Sequence, residues 1–218
     1  MMENIRSNLI KMSINNYFDK IYCINLARRY DRWEECIKKF KKHRIILERF
    51  EGLDGKNVIF DYNKMISPGE YGCLMSHLNI INDAVINGHD KILIFEDDVE
   101  LHDDFPRIAE EFLQQVPDNW DMIYFGANTT RNQNMKISER VNMASNLLTT
   151  HAYAIKSTIF HYLIDKICNG HGPIDKIYSD NHIYMNTYIC DPIIAWQKDG
   201  WSDVNNKFVD YNFLRENV

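Results

Sequence analysis

Short apolar runs alternate with amphipathic stretches along this chain. The run Lys20-Ile21-Tyr22-Cys23-Ile24-Asn25-Leu26 is apolar almost throughout and predicts a buried strand. An amphipathic helix is expected near Asp31–Lys42, with Trp33, Ile37 and Phe40 on one face. Ile45 to Phe50 predicts a second strand, closed by the turn Leu53-Asp54-Gly55. The clearest helix start is Ser67-Pro68-Gly69-Glu70: Ser caps, Pro takes the first helical position, and Glu completes a capping box. That helix carries Leu74, Leu78, Ile81 and Val85 and stops at Asn87-Gly88. Lys91 to Phe95 then predicts a buried parallel strand, followed by a helix near Phe105–Gln115 and a strand over Asp121 to Gly126. A strand over His151 to Ile155, a helix near Ser157–Cys168 and a strand over Ile193 to Trp196 complete the series. Such alternation predicts an α/β domain with a mostly parallel central sheet.

Composition narrows the classes. The 218 residues are 45% hydrophobic and 26% charged, with a mean hydropathy of -0.42, which suits one core-forming domain and excludes a largely disordered chain. The formal net charge is -6 and the pI about 5.7, so nucleic acid, which demands a net basic face, is not an expected partner. The basic run Lys38-Lys39-Phe40-Lys41-Lys42-His43-Arg44 reads instead as a solvated helix end, where cations suit the macrodipole. No stretch approaches the roughly 18 apolar residues of a membrane span. The first residues mix Asn, Ser, Lys and Glu through their apolar positions and lack the continuous core of a signal peptide. The expected organisation is a polar extension over residues 1–18, one domain over 19–218, and a cytoplasmic location. Cys23, Cys36, Cys73, Cys168 and Cys190 are widely spread with no Cys-x-x-Cys pair. Their spacing indicates neither a zinc site nor a disulfide framework, but free thiols in a reducing compartment. Heavy use of Ile, Asn, Lys and Tyr fits the AT-rich codons of, for example, a giant DNA virus or a bacterium.

Chemistry concentrates at Glu96-Asp97-Asp98, three acids directly after the predicted strand at 91–95. An apolar strand ending in carboxylates places negative charge where open α/β sheets bind ligands. Adjacent carboxylates repel, and a hard divalent cation such as Mn²⁺ or Mg²⁺ relieves that repulsion. In extended chain, alternate residues share a face, so Glu96 and Asp98 are expected at one site with Asp97 turned elsewhere. The competing reading is an acidic solvent turn running on into His102-Asp103-Asp104. Carboxylates and a metal gripping phosphate oxygens suit both nucleotide-sugar transferases and some phosphotransfer enzymes.

Several blocks, in order, resemble glycosyltransferase family 25, which includes lipooligosaccharide and procollagen galactosyltransferases. They are Asp19–Leu26 with Arg28, Arg29 and Arg32; Phe50-Glu51-Gly52-Leu53-Asp54-Gly55; Ser67 to His77; Ile94 to Val99; and Asp121 to Gly126. Thr150-His151-Ala152-Tyr153, Pro173-Ile174-Asp175 and Gly200-Trp201-Ser202-Asp203 are similar to the later blocks. The segment between Asp54 and Ser67 is shorter than the family pattern. The resemblance implies a single Rossmann-like GT-A domain that transfers a hexose, with inversion, from a UDP-sugar to a hydroxyl acceptor on a glycan or hydroxylysine-type protein. Galactose is the family's default sugar, with glucose and N-acetylglucosamine fitting equally.

Site candidates follow from that likeness. Glu96, Asp98 and Asp203 are the expected metal ligands. Asn25, Arg29, Arg32, Ser76, His77, Glu96, Asp97 and Gln197 are expected around the UDP-sugar. For Arg29 and Arg32 the alternative is pairing with nearby acids, for His77 a structural histidine, and for Asp203 a post holding the C-terminal loop. Asp175 is the candidate base for the acceptor's proton, its alternative being a helix cap. Two other functions share these features: a metal-dependent phosphohydrolase, and a sugar-nucleotide-binding protein without turnover.

Overall fold

Period-two alternation along the strands sorts the apolar residues into two cores. In the computed structural model, which describes residues 13–58, 66–129 and 135–211, the strand β3 (Lys91–Glu96) buries Leu93 and Phe95 on one side and Ile92 and Ile94 on the other. The same division runs through β1 (Lys20–Leu26), β5 (Met122–Thr129) and β8 (Leu147–Lys156). Against the first face pack α2 (Tyr30–Lys42), through Cys36 and Phe40, and α4 (Phe105–Gln115), through Phe105 and Phe112. The short α1 (Ile14–Tyr17) adds Ile14 to this core, with Phe18 just beyond it. Against the second face pack α3 (Pro68–Asn87), α5 (Phe160–Asn169) and α6 (Ile174–Asn181). The result is an α/β/α sandwich.

The remaining sheet strands are β2 (Glu48–Gly52), β6 (Met135–Lys136), β7 (Val141–Met143) and β9 (Thr187–Cys190), giving the order β2-β1-β3-β8-β5-β9-β7-β6. Six of these eight strands run one way, while β8 and β7 run against them, so the sheet is mixed. The alternation of strands and helices predicts a mostly parallel sheet, and six co-directional strands agree with it. Between β5 and β8, however, the described residues form only β6 and β7 and no crossover helix, and β8 returns beside β5 antiparallel.

Local chemistry sets the element ends that matter for the site. Ser67 and Glu70 form the capping box in both directions, at 3.2 and 2.7 Å, and Gly88 closes α3 with φ 68°. The strand expected from Ile45 starts three residues later. Arg44 has φ 57°, and the Ile45 N–H donates to the Phe40 carbonyl at 2.9 Å, so this residue finishes α2 instead of opening β2. The basic run closes α2 as expected, with Lys39 paired to Glu100 and Lys42 to Asp103, each at 2.8 Å. Two short pairs lie beyond the main sheet: β4 (Val99–Leu101) with β10 (Ala195–Gln197), and β11 (Gly200–Ser202) with β12 (Lys207–Val209). No helix among the described residues is long and apolar enough to cross a membrane.

Candidate active site

The C-terminal ends of β1 and β3 meet the middle of β8, because Ile24 pairs with Glu96 and Phe95 pairs with Ala152. This edge of the sheet is where α/β folds bind ligands. A cavity of about 430 Å³ opens there, walled by the acidic turn, the start of α3, the start of α6 and the β11–β12 hairpin. That volume is in the range of small-molecule sites.

The three acids of the turn have different partners. Glu96 accepts from Thr150 Oγ1 at 2.6 Å, and its Oε1 lies 3.4 Å from His77 Nε2. Burial works to raise its pKa, but the neighbouring His77 and the Thr150 bond bring it below the usual carboxylate range. Asp97 has both oxygens occupied, by Arg32 at 2.7 Å and by the Asn25 amide at 2.6 Å. Asp98 is different. Its Oδ1 is buried and has no hydrogen-bond partner, and burial together with the charges of Glu96 and Asp97 pushes its pKa up to about 7. A carboxylate held there without a partner is costly unless a cation joins it.

Around the turn, ion pairs hold the walls. Asp203 meets Arg28 at 2.9 Å and Arg29 at 2.6 Å, while Arg28 also bonds Asp54 at 2.6 Å. Arg32 donates to the Trp201 carbonyl, fastening the hairpin to α2. Ser76 is buried, accepts the Leu53 N–H at 2.8 Å and donates to the Gly72 carbonyl at 2.7 Å. Gly72 lets the Leu53–Gly55 backbone lie against α3: a Cβ there would sit 2.4 Å from the Leu53 carbonyl oxygen. Asp175, in the first turn of α6, accepts the Thr149 N–H at 3.1 Å and its neighbour's, Lys176, at 2.8 Å. Thr149 has φ 69°, an uncommon conformation for a β-branched residue, and its side chain bonds His151 at 3.0 Å.

A glycosyltransferase family 25 (LPS biosynthesis protein) model matches residues 18–178. The chain belongs to glycosyltransferase family 25. Procollagen galactosyltransferase 1 of Danio rerio is 30% identical over 129 residues, covering 50% of this chain and 21% of that protein. The inactive glycosyltransferase 25 family member 3 of Homo sapiens is also 30% identical over 129 residues, covering 50% of this chain and 22% of the relative. The chain therefore spans about a fifth of the length of these relatives. A glycosyltransferase involved in glycosylation of the major capsid of PBCV-1 shares the fold at a TM-score of 0.50 and 8% identity, covering 78% of this chain and 79% of that one.

Set against this family 25 fold, the sequence candidates divide. Glu96, Asp97, Asp98, Arg32, Ser76, His77, Asp175, Gln197 and Asp203 all line the cavity. Asn25 and Arg29 are not among its lining residues. Asn25 is a buried hub, donating to Asp97 and to the Arg29 carbonyl and accepting from Arg49. Arg29 faces Asp31 and Asp203, and the neighbouring Arg28 takes the cavity position. Asp97 and Asp98 both reach the cavity from a turn, so strict strand alternation does not extend past Glu96. Asp175 is not the cap of α6; Pro173 occupies that place. Cys73 and Thr150 were not candidates, although the one-turn spacing from Cys73 to His77 was visible in the sequence.

Proposed function

We propose that this chain transfers a hexose from a UDP-sugar to a hydroxyl acceptor on a glycan or hydroxylysine-type protein, with inversion and with a divalent ion. The observation that carries the reading is the orphaned, buried Oδ1 of Asp98 in a three-acid turn that opens into a ligand-sized cavity. An all-oxygen donor set fits a hard ion, Mn²⁺ or Mg²⁺, held by Asp98 with Glu96. Asp97 is committed to Arg32 and Asn25 and fixes the turn's shape. Bound there, the ion supplies positive charge against the departing diphosphate.

The protein's own groups account for the rest. Arg28 and Arg32, each already paired with an acid, bring guanidinium N–H donors to the cavity wall where a diphosphate would lie. Asp203 holds both Arg28 and Arg29 and so keeps the hairpin wall in place. Asp175 is the proposed base. As the acceptor oxygen bonds to the anomeric carbon, its proton passes to the Asp175 carboxylate and the bond to UDP breaks. Support for this role is its position on the cavity, on a different element from the acids that face the ion.

The reading is tested by calorimetric titration with UDP. Binding is expected only with Mn²⁺ present, and Asp98→Asn abolishes it. Equal UDP affinity with Mn²⁺ and in excess EDTA overturns the reading. One alternative, favoured by a relative named as inactive, is that this chain binds a sugar nucleotide without turnover.

A further inference from the structure

A thiol, an imidazole and a carboxylate converge on one part of the cavity lining. Cys73 and His77 lie one turn apart on α3, and Glu96 ends β3 beside them. The Cys73 sulfur, a His77 ring nitrogen and a Glu96 oxygen all lie within 4.8 Å of one another. The His77 Nε2 to Glu96 Oε1 separation of 3.4 Å is that of a tetrahedron's edge for metal bonds of about 2.0–2.1 Å. Nε2 of the fully buried His77 has no hydrogen-bond partner. Both ligands are also held from behind. The other ring nitrogen of His77 bonds Tyr153 Oη at 2.7 Å, and Thr150 Oγ1 donates to Glu96 at 2.6 Å. Outer partners of this kind orient metal ligands and fix the imidazole tautomer.

We propose that Cys73, His77 and Glu96 form a zinc site with its fourth position open to the cavity. Sulfur, nitrogen and oxygen together suit borderline-soft Zn²⁺, whereas the all-oxygen set at Asp98 suits a hard ion. Binding displaces the thiol proton of Cys73 to solvent and leaves a zinc thiolate, with no change of oxidation state. Glu96 belongs to both sets, so zinc here withdraws a carboxylate from the acidic turn. Zinc and the hard ion therefore compete. The zinc site rests on ligand geometry alone and stands whether or not the chain turns over a UDP-sugar. Spacing rules for zinc motifs miss it because two elements far apart in sequence supply the ligands.

The test uses Co²⁺ as a spectroscopic probe on metal-free chain carrying Cys168→Ser, which removes the exposed thiol. One cobalt per chain is expected to give a near-ultraviolet thiolate-to-metal band with tetrahedral visible bands, both erased by Zn²⁺. Adding Cys73→Ser should abolish the thiolate band and weaken Zn²⁺ binding more than about tenfold. Adding Asp98→Asn instead should leave the band in place. No thiolate band, a band that survives Cys73→Ser, or a band lost in Asp98→Asn overturns the proposal. Should Cys73→Ser fail to fold, X-ray absorption of the zinc-loaded Cys168→Ser chain decides. One sulfur neighbour at about 2.3 Å supports the site, and light neighbours alone overturn it.

Discussion

Replacing Asp98 by Asn is expected to stabilise the metal-free protein while destroying its turnover. The carboxylate is squeezed between burial and two like charges, which raise its pKa from 3.8 to about 7. A rise of that size corresponds to roughly 4 kcal/mol of penalty on the charged form. Part of Asp98 faces the open cavity although its Oδ1 is buried, and screening from that side reduces the figure to about 2 kcal/mol. Between pH 3.8 and about 7 the folded state holds more protons at Asp98 than the unfolded state does. Stability in wild type therefore falls as pH rises through that window and levels off above it. Asn keeps the shape without the charge. In excess EDTA at pH 8 the variant should melt roughly 4–8 °C higher than wild type, the conversion for a chain of this size, and the gap should close near pH 4. Turnover of a UDP-sugar with Mn²⁺ should fall on the order of 10²-fold or more. A variant that melts at or below wild type at pH 8, or a gap that ignores pH, refutes the electrostatic reasoning.

Three further outcomes follow from the structure. Asp175→Asn keeps an acceptor oxygen for the Thr149 N–H and gives up only the local bond from the adjacent Lys176 N–H, so its melting temperature should stay close to wild type while kcat drops roughly 10²- to 10⁴-fold; unchanged kcat with the true acceptor places the base elsewhere. Gly72→Ala forces a Cβ against the Leu53 carbonyl, and denaturant titration should show a loss of about 2–3 kcal/mol; an unchanged midpoint contradicts that contact. Burial lowers the pKa of His182 from 6.5 to about 4, so the folded state binds fewer protons in that window. Stability present above pH 6.5 is lost as pH falls toward 4, by about 3 kcal/mol. His182→Gln should flatten this loss relative to wild type, and parallel pH curves would count against it.

The parts of the fold written in local rules were legible in the sequence. The capping box at Ser67, the glycine stop at Gly88 and the two-sided strand at 91–95 all form as their residue types dictate. What the pattern missed was set by tertiary partners. Thr187–Cys190, a four-residue strand buried on both faces, has no periodicity to display. The direction of β8 goes with a connection from β5 in which the described residues form no crossover helix, and apolar spacing alone does not reveal this. At the site, the acidic turn stood out because three adjacent carboxylates directly follow a buried apolar strand. Arg28 and Arg29 could not be told apart, since adjacent residues at a turn differ only in which way the backbone aims them. Asn25 likewise read as a cavity residue from its place at a strand end, yet its amide is spent joining β1 to Asp97.

Metal-dependent use of a UDP-sugar is open to a single decisive assay. Purified chain is incubated with a panel of UDP-hexoses and Mn²⁺, with and without candidate hydroxyl acceptors, and both UDP and inorganic phosphate are quantified. UDP release is expected from at least one donor, accelerated by an acceptor, abolished by excess EDTA and absent in Asp98→Asn. Phosphate release in place of UDP, or UDP release that persists in EDTA, would contradict that expectation.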